Sequence, residues 1–327
     1  MRLAVDQAQR VKGSTYPNPP VGAVILDAAG DVVGTGGTEP VGGPHAEVIA
    51  LQAAGERAAG GTAVVTLEPC SHHGRTPPCV DALLAAGVAT VVFAVADPNP
   101  AAAGGAERLQ SAGVMVTGGV CADEVAAGPL REWLHKQRTG LPHVTWKFAT
   151  SVDGRSAAAD GSSQWITGEA ARADVHRRRA AADAIVVGTG TVFADDPTLT
   201  ARLPGGGLAE HQPLRVVVGR REIAPEANVL NDDSRTMVIS THDPDEVLRA
   251  LSDRTDILIE GGPTLAGAFL RAGAIDRILA YVGPILLGGP IMAVDDVGVP
   301  TIARALRWSY DGVERIGPDL LLSLVPG

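Results

Sequence analysis

At 327 residues, 45% hydrophobic and 20% charged, the chain is long enough for two domains whose cores rest on Val, Leu, Ile and Ala, since only 3% of residues are aromatic. A formal net charge of −10 argues against nucleic acid as the main partner but leaves room for a local basic pocket that holds a phosphorylated small molecule. No apolar run has the length of a membrane span, no signal-peptide core opens the chain, and three sparse cysteines fit the reducing cytoplasm.

In chain order, residues 1–11 read as a helix, 21–26 as an apolar strand and 31–34 as its hairpin partner. A helix from Ala46 is expected to stop at Gly55 in a left-handed C-cap. Residues 62–67 form a buried strand leading into Glu68-Pro69-Cys70; 80–86 form a helix ending at Gly87, and 90–96 another strand. This alternation means an α/β layer sandwich. A helical segment over 123–138 and the run Thr139-Gly140-Leu141-Pro142 mark a boundary between domains 1–141 and 142–327. The second domain reads as strand 143–149, a helix from Glu169, strands 184–187, 214–218, 237–240 and 257–260, helix 264–272 and strand 277–282. Gly205-Gly206-Gly207 reads as a mobile loop.

The chemistry concentrates in Pro44-His45-Ala46-Glu47 and in the run from Cys70 to Cys79. His45, Cys70 and Cys79 offer three zinc ligands with a fourth position open to water, and Glu47 a proton carrier beside them. The His-x-Glu…Pro-Cys…Cys order marks zinc-dependent deaminases, which remove an amino group from a heterocycle by hydrolysis. Residues two apart diverge on a helix, so His45 belongs at a helix start, after Pro44; Cys79 stands at the start of the next helix. Two helix N-termini then favour thiolate near the metal. The competing reading is a structural zinc whose shell His72 or His73 closes, which leaves the His-x-Glu pairing unexplained. Cys121 has no partner motif and reads as a core residue.

Eight residues separate Cys70 from Cys79, where typical nucleoside deaminases place two. This long form, Pro17-Asn18-Pro19, Val21-Gly22 and Asp97-Pro98-Asn99-Pro100 resemble the bifunctional riboflavin-biosynthesis deaminase/reductase family. The runs 147–155 (KFATSVDGR), 163–167 (SQWIT), 187–199 (VGTGTVFADDPTL) and 259–265 (IEGGPTL) resemble its reductase half, so the resemblance covers nearly the whole chain. It implies an N-terminal cytidine-deaminase-like three-layer α/β sandwich and a C-terminal dihydrofolate-reductase-like domain. It also implies deaminase substrate contacts at Asn18 and His72, although Asn18 between prolines equally suits a turn.

In the second half the resemblance implies substrate contacts at Ser163, Arg179, Leu199, Arg202 and Glu260. It implies NADPH contacts at Ala149, Trp165, Thr191, Asp195, Gly262, Pro263, Thr264, Leu265, Ala266, Gly267 and Ala268. Physically, Gly188-Thr189-Gly190-Thr191 and Gly261-Gly262-Pro263-Thr264 each follow an apolar strand and precede a helix. Backbone N–H groups there hold phosphate oxygens, or the glycines serve only tight turns. Arg172, His176 and Arg179 share one helix face, which alone reads as a solvated stripe, with Arg177 and Arg178 on the surface. Arginines beside a serine hydroxyl suit a ribose 5′-phosphate.

Three places depart from the family's pattern: Tyr16, where histidine is usual, the loop 101–105, and Gly219-Arg220-Arg221, where many members have Asp-Ser. Arg220 or Arg221 is expected to approach the 2′-phosphate of NADPH. The resemblance implies a cytoplasmic homodimer with no nucleic-acid or membrane partner, needing one Zn2+ per chain and NADPH. Its reactions would be zinc-dependent deamination of 2,5-diamino-6-ribosylamino-4(3H)-pyrimidinone 5′-phosphate, then reduction of the ribosyl chain to ribityl. The alternative is a deaminase whose second half only binds ligand or builds a dimer.

Overall fold

Alternate residues of the first apolar strands face two different helical layers. The computed structural model describes residues 1–327, which form two units, Met1–Leu141 and Pro142–Gly327. The first unit contains α1 (Arg2–Val11), β1 (Gly22–Leu26), β2 (Val32–Gly37), α2 (Ala46–Ala54), β3 (Thr62–Leu67), α3 (Cys79–Ala85), β4 (Thr90–Val95), α4 (Gly105–Ser111), β5 (Met115–Thr117), α5 (Ala122–Ala127) and α6 (Arg131–Thr139). Its strands lie in the order β2-β1-β3-β4-β5, with β1 antiparallel to β2 and β3 and the other pairs parallel. Val24, Val64 and Val92 pack with Ala4 of α1. Ala23, Ile25, Ala63, Val65 and Val91 pack with Ala46, Ala50 and Ala54 of α2 and Val80 and Leu83 of α3. The period-two alternation of the strands thus builds a three-layer sandwich.

Glycine sets how closely α2 approaches the sheet. A Cβ on Gly34 would fall 2.1 Å from Ala50 O, and one on Gly36 2.4 Å from Ala46 O. Any side chain there would push away the helix whose first turn carries His45 and Glu47.

Three local expectations are corrected. Gly55 follows α2 with φ +57° but ψ −140°, outside the left-handed helical well and open only to glycine. The helix expected over 123–138 is two helices, because Gly128-Pro129 separates α5 from α6 and Pro129 has no N–H to continue the ladder. Cys121 is exposed, not core, with φ 59° at the N-cap of α5. Short α4 and β5, between the Asp97–Pro100 turn and α5, were not foreseen.

The second unit contains β6 (His143–Ser151), α7 (Glu169–Ala181), β7 (Ala184–Gly188), α8 (Thr189–Asp195), β8 (Leu214–Val218), β9 (Thr236–Ile239), α9 (Pro244–Ala250), β10 (Asp256–Ile259), α10 (Pro263–Arg271), β11 (Arg277–Gly283), β12 (Trp308–Ile316) and β13 (Asp319–Pro326). They form one sheet, β12-β13-β11-β6-β10-β7-β8-β9, parallel from β11 to β9 and closed by an antiparallel hairpin. Val186, Val216, Val218, Ile257 and Ile259 pack under Phe269 and Leu270 of α10 and Val247 and Leu248 of α9. Ile185, Val187, Val217 and Leu258 face the opposite core with Val192 and Leu199. Gly205–Gly207 lies in a turn in which the Leu203 N–H donates to Gly207 O and the Gly206 N–H to Leu203 O. No helix is long and apolar enough to cross a membrane.

Candidate active sites

In the first unit the chain delivers its metal-binding types to one point from three places. His45 is the N-cap of α2, with extended backbone (φ −76°, ψ 162°), and Glu47 follows inside the first turn. Cys70 lies near the start of the loop after β3, and Cys79 opens α3. His45 Nδ1 lies 3.2 Å from Cys79 Sγ and 3.6 Å from Cys70 Sγ, and the Cys79 N–H donates to Cys70 Sγ at 3.4 Å. The three donor atoms lie within 4.8 Å of one another, a set that fits zinc with an open fourth position. Neither His72 nor His73 belongs to this cluster; His72 lines the adjoining cavity and His73 is exposed.

The electrostatics follow from crowding. A hydrogen bond from Cys79, then one from His45, pulls the Cys70 thiol down, while the same bond and burial push Cys79 up. The Cys70 bond also raises His45. Glu47 is 4% exposed; burial, then the Cys70 charge, lifts its carboxyl to about 7. Pro17, Asn18, Glu47, His72, Arg75, Asp97 and Trp133 help line a cavity of about 370 Å³ over these groups. Asn18 is also held as a turn, its N–H donating to Thr15 O and its carbonyl accepting from Thr15 Oγ1 at 3.0 Å. The buried Glu68 carboxylate accepts from the Asp97 and Ala106 N–H groups, tying the cysteine loop to α4. The motif order had not drawn attention to Glu68 or to Thr76, whose hydroxyl stands 3.2 Å from His45 Nε2.

In the second unit the parallel order of β6, β10, β7 and β8 sets four strand ends side by side, the edge at which open α/β sheets hold ligands. Glu260, just past β10, accepts from Arg179 Nε at 2.7 Å and Nη2 at 3.0 Å, with Lys147 Nζ at 3.5 Å. Arg179 also donates to Thr200 O. The stripe Arg172–His176–Arg179 is therefore not simply solvated: the Arg179 side chain is 16% exposed and ion-paired. Arg178 also turns inward, donating to Asp174 and to the Tyr281 hydroxyl at 2.8 Å, while Arg177 stays exposed. The Lys147–Glu260 and Tyr281–Asp174 contacts escaped the sequence reading because the partners are remote in the chain.

The two glycine turns meet through the Gly262 N–H, which donates to Thr191 Oγ1 at 3.2 Å. Arg220 and Arg221 are both exposed, and Arg221 reaches Thr189 Oγ1 at 3.4 Å and lies over the Phe193 ring at 4.6 Å. The Ala266 side chain belongs to the core, and Gly267 is buried behind it. Of the 262–268 segment, Gly262 to Leu265 and Ala268 retain exposure. Leu199 (φ 54°) is buried in the core, so only its backbone is free to meet a ligand. Ala149 is half-buried in β6. Arg202 is exposed, its Nε 3.3 Å from Thr200 Oγ1. Trp165 is exposed beneath the Arg172 guanidinium, Asp195 is exposed and Ser163 half-buried.

Comparison with known proteins is decisive. Residues 1–95 match the cytidine and deoxycytidylate deaminase zinc-binding region, and residues 142–322 match the RibD C-terminal domain. The chain belongs to the RibD family. It is 73% identical to riboflavin biosynthesis protein RibD of Mycobacterium tuberculosis over 99% of this chain and 96% of that protein. It is 40% identical to RibD of Escherichia coli over 99% and 98%. Acinetobacter baumannii RibD superposes with a TM-score of 0.88 at 40% identity, covering 100% of this chain and 97% of that one. The Thermotoga maritima diaminohydroxyphosphoribosylaminopyrimidine deaminase/5-amino-6-(5-phosphoribosylamino)uracil reductase superposes at 0.89 with 32% identity and the same coverage. As a RibD-family member the chain is a bifunctional enzyme of riboflavin biosynthesis, with a cytidine-deaminase-like zinc domain and a dihydrofolate-reductase-like NADPH domain. A deaminase with an inert second half is not favoured, since that half is itself the RibD reductase domain.

Proposed function

We propose that domain 1–141 deaminates the 2-amino group of 2,5-diamino-6-ribosylamino-4(3H)-pyrimidinone 5′-phosphate and that domain 142–327 reduces the ribosyl chain of the resulting uracil to ribityl with NADPH. The observation that carries the first step is a buried Glu47 carboxyl, outside the ligand set, at the floor of a cavity beside three donors that fit zinc. Zinc, held by His45, Cys70 and Cys79, supplies Lewis-acid activation of water. Glu47 would take one proton from the attacking water and pass it to the ring nitrogen, then take the second from the resulting hydroxyl and pass it to the departing amine, which leaves as ammonia. Burial of the carboxyl, which favours its protonated form, suits this shuttle. Asn18 and His72 face the cavity and orient the pyrimidine, and Arg75 at its wall gives the phosphorylated substrate a cation.

For the reduction, Arg179, Arg202, Ser163, Glu260 and the Leu199 backbone hold the ribose phosphate. Thr191, Asp195, Ala149, Trp165 and the Gly262–Ala268 turn place the nicotinamide so that hydride reaches C1′. The paired turns joined by Thr191 and Gly262 support this reading. Arg221, held beside the Thr189 turn and over the Phe193 ring, is the better candidate for the 2′-phosphate than Arg220. The same reading makes the protein a cytoplasmic homodimer without nucleic-acid or membrane partners. Its net charge of −10 and the exposure of Tyr310, Val313 and Leu320 on the last hairpin support it. A coupled assay that follows ammonia and NADPH separately tests the assignment. Glu47→Ala should abolish ammonia release yet oxidise NADPH when given the uracil, and Arg179→Ala the reverse. Loss of both activities in either variant refutes the division of labour.

A further inference from the structure

We infer that Thr76 is a positioning residue that aims His45 at the metal, and that the long spacer between Cys70 and Cys79 delivers it. The inference rests on the zinc reading of the preceding section. His45 turns Nδ1 toward both thiols, at 3.2 and 3.6 Å, and Nε2 toward Thr76 Oγ1 at 3.2 Å. A neutral imidazole carries its proton on one nitrogen and a bare lone pair on the other. If Nδ1 is to face the metal bare, Nε2 must hold the proton, and it needs an acceptor. The Thr76 hydroxyl can be that acceptor and so fixes the ring's rotation; because a hydroxyl can equally donate, the tautomer itself would be set by a metal at Nδ1.

Local structure suits the task. His45 is the N-cap of α2 and makes no side-chain capping bond, so its helix does not lock the ring. Thr76 is half-buried, its carbonyl accepting from the Gly74 N–H at 3.3 Å. Pro77 and Pro78 follow, restricting Thr76 to extended backbone and fixing the approach to Cys79. Threonine is β-branched and therefore stiff at χ1. One short loop thus carries a metal ligand, Cys79, and three residues earlier the group that orients a different ligand, His45. A two-residue spacer has no room for both. This gives the spacer a task in assembling the metal site, besides placing His72 and Arg75 on the cavity wall.

The test compares Thr76→Val, Thr76→Ser and His45→Ala in the full chain, reading zinc affinity by chelator competition and deaminase KM and kcat at saturating zinc. Thr76→Val should weaken zinc binding by about 10–100-fold, as loss of an outer-shell partner of a ligating histidine does. Thr76→Ser, which keeps the hydroxyl, should restore most of it, with KM unchanged in both. Wild-type zinc affinity in Thr76→Val, or a raised KM with zinc binding intact, would make Thr76 a substrate contact and overturn the inference. Equal losses in Val and Ser variants also overturn it, because the hydroxyl would then be irrelevant. If wild type and His45→Ala bind zinc equally, the zinc reading itself fails, a result distinct from all of these. Far-UV circular dichroism of each metal-free variant verifies that the fold is retained.

Discussion

Replacing Glu260 by glutamine tests the electrostatic core of the second unit. Its carboxylate takes two bonds from Arg179, at 2.7 and 3.0 Å, and lies 3.5 Å from Lys147 Nζ. Burial opposes its ionisation, yet the two cations outweigh that and hold the carboxyl at about 2, against an ordinary 4.5. At about 1.4 kcal/mol per pH unit, this difference corresponds to about 3 kcal/mol of folding free energy. Removing one partner of a buried pair costs a similar amount, about 3–5 kcal/mol. Because the folded-state value is depressed, the contribution is complete above pH 4.5 and disappears as pH falls through 2. Glu260→Gln should therefore unfold at lower urea at pH 7, by about 3 kcal/mol, and the gap to wild type should close as pH approaches 2. Tryptophan fluorescence follows the transition, since Trp146, Trp165 and Trp308 lie in this unit. A difference that is absent at pH 7, or unchanged at pH 2, would refute the reasoning.

Two further outcomes follow from the strand ends and the cysteine loop. Arg221→Ala should reduce the preference for NADPH over NADH about 10–100-fold, the worth of a hydrogen bond to a charged group, while Arg220→Ala leaves it unchanged. Titration of each variant with both nucleotides measures it, and equal effects at the two positions would count against Arg221. Gly105→Ala brings a Cβ to 1.8 Å from Pro69 O, so α4 or the residue before Cys70 must shift. It should cost about 1–3 kcal/mol, as overpacking does, and loosen zinc. Wild-type melting and zinc affinity together would show that the loop yields freely.

Much of the fold was legible because period-two apolar runs and helix punctuation act locally. Strands β3 and β8 fall where the apolar runs predicted them, because their residues alternate between two packed cores. The last hairpin was not legible. β12 is mostly exposed, so its residues carry no burial pattern, and pairing with β13 rather than hydrophobicity makes it a strand. The break between α5 and α6 was written in Gly128-Pro129, but the helical pattern on either side masked it.

The sequence by itself determined the first site's chemistry. His45 and Glu47 lie two residues apart and Cys70 and Cys79 flank one short loop, so residue type and order already name the chemistry, although His45 meets the two thiols across 25 and 34 residues. Only the tertiary structure decided the second site. Arg179 and Glu260 are 81 residues apart, and Lys147 and Glu260 113. No local spacing encodes those meetings. They arise because β10 inserts between β6 and β7, an order set by burial of both sheet faces across the whole domain. The same global packing separated Arg178 and Arg179 from the exposed Arg177 of their run. A charge on a helix is buried or solvated according to what packs against that helix, which the helix's own sequence does not contain.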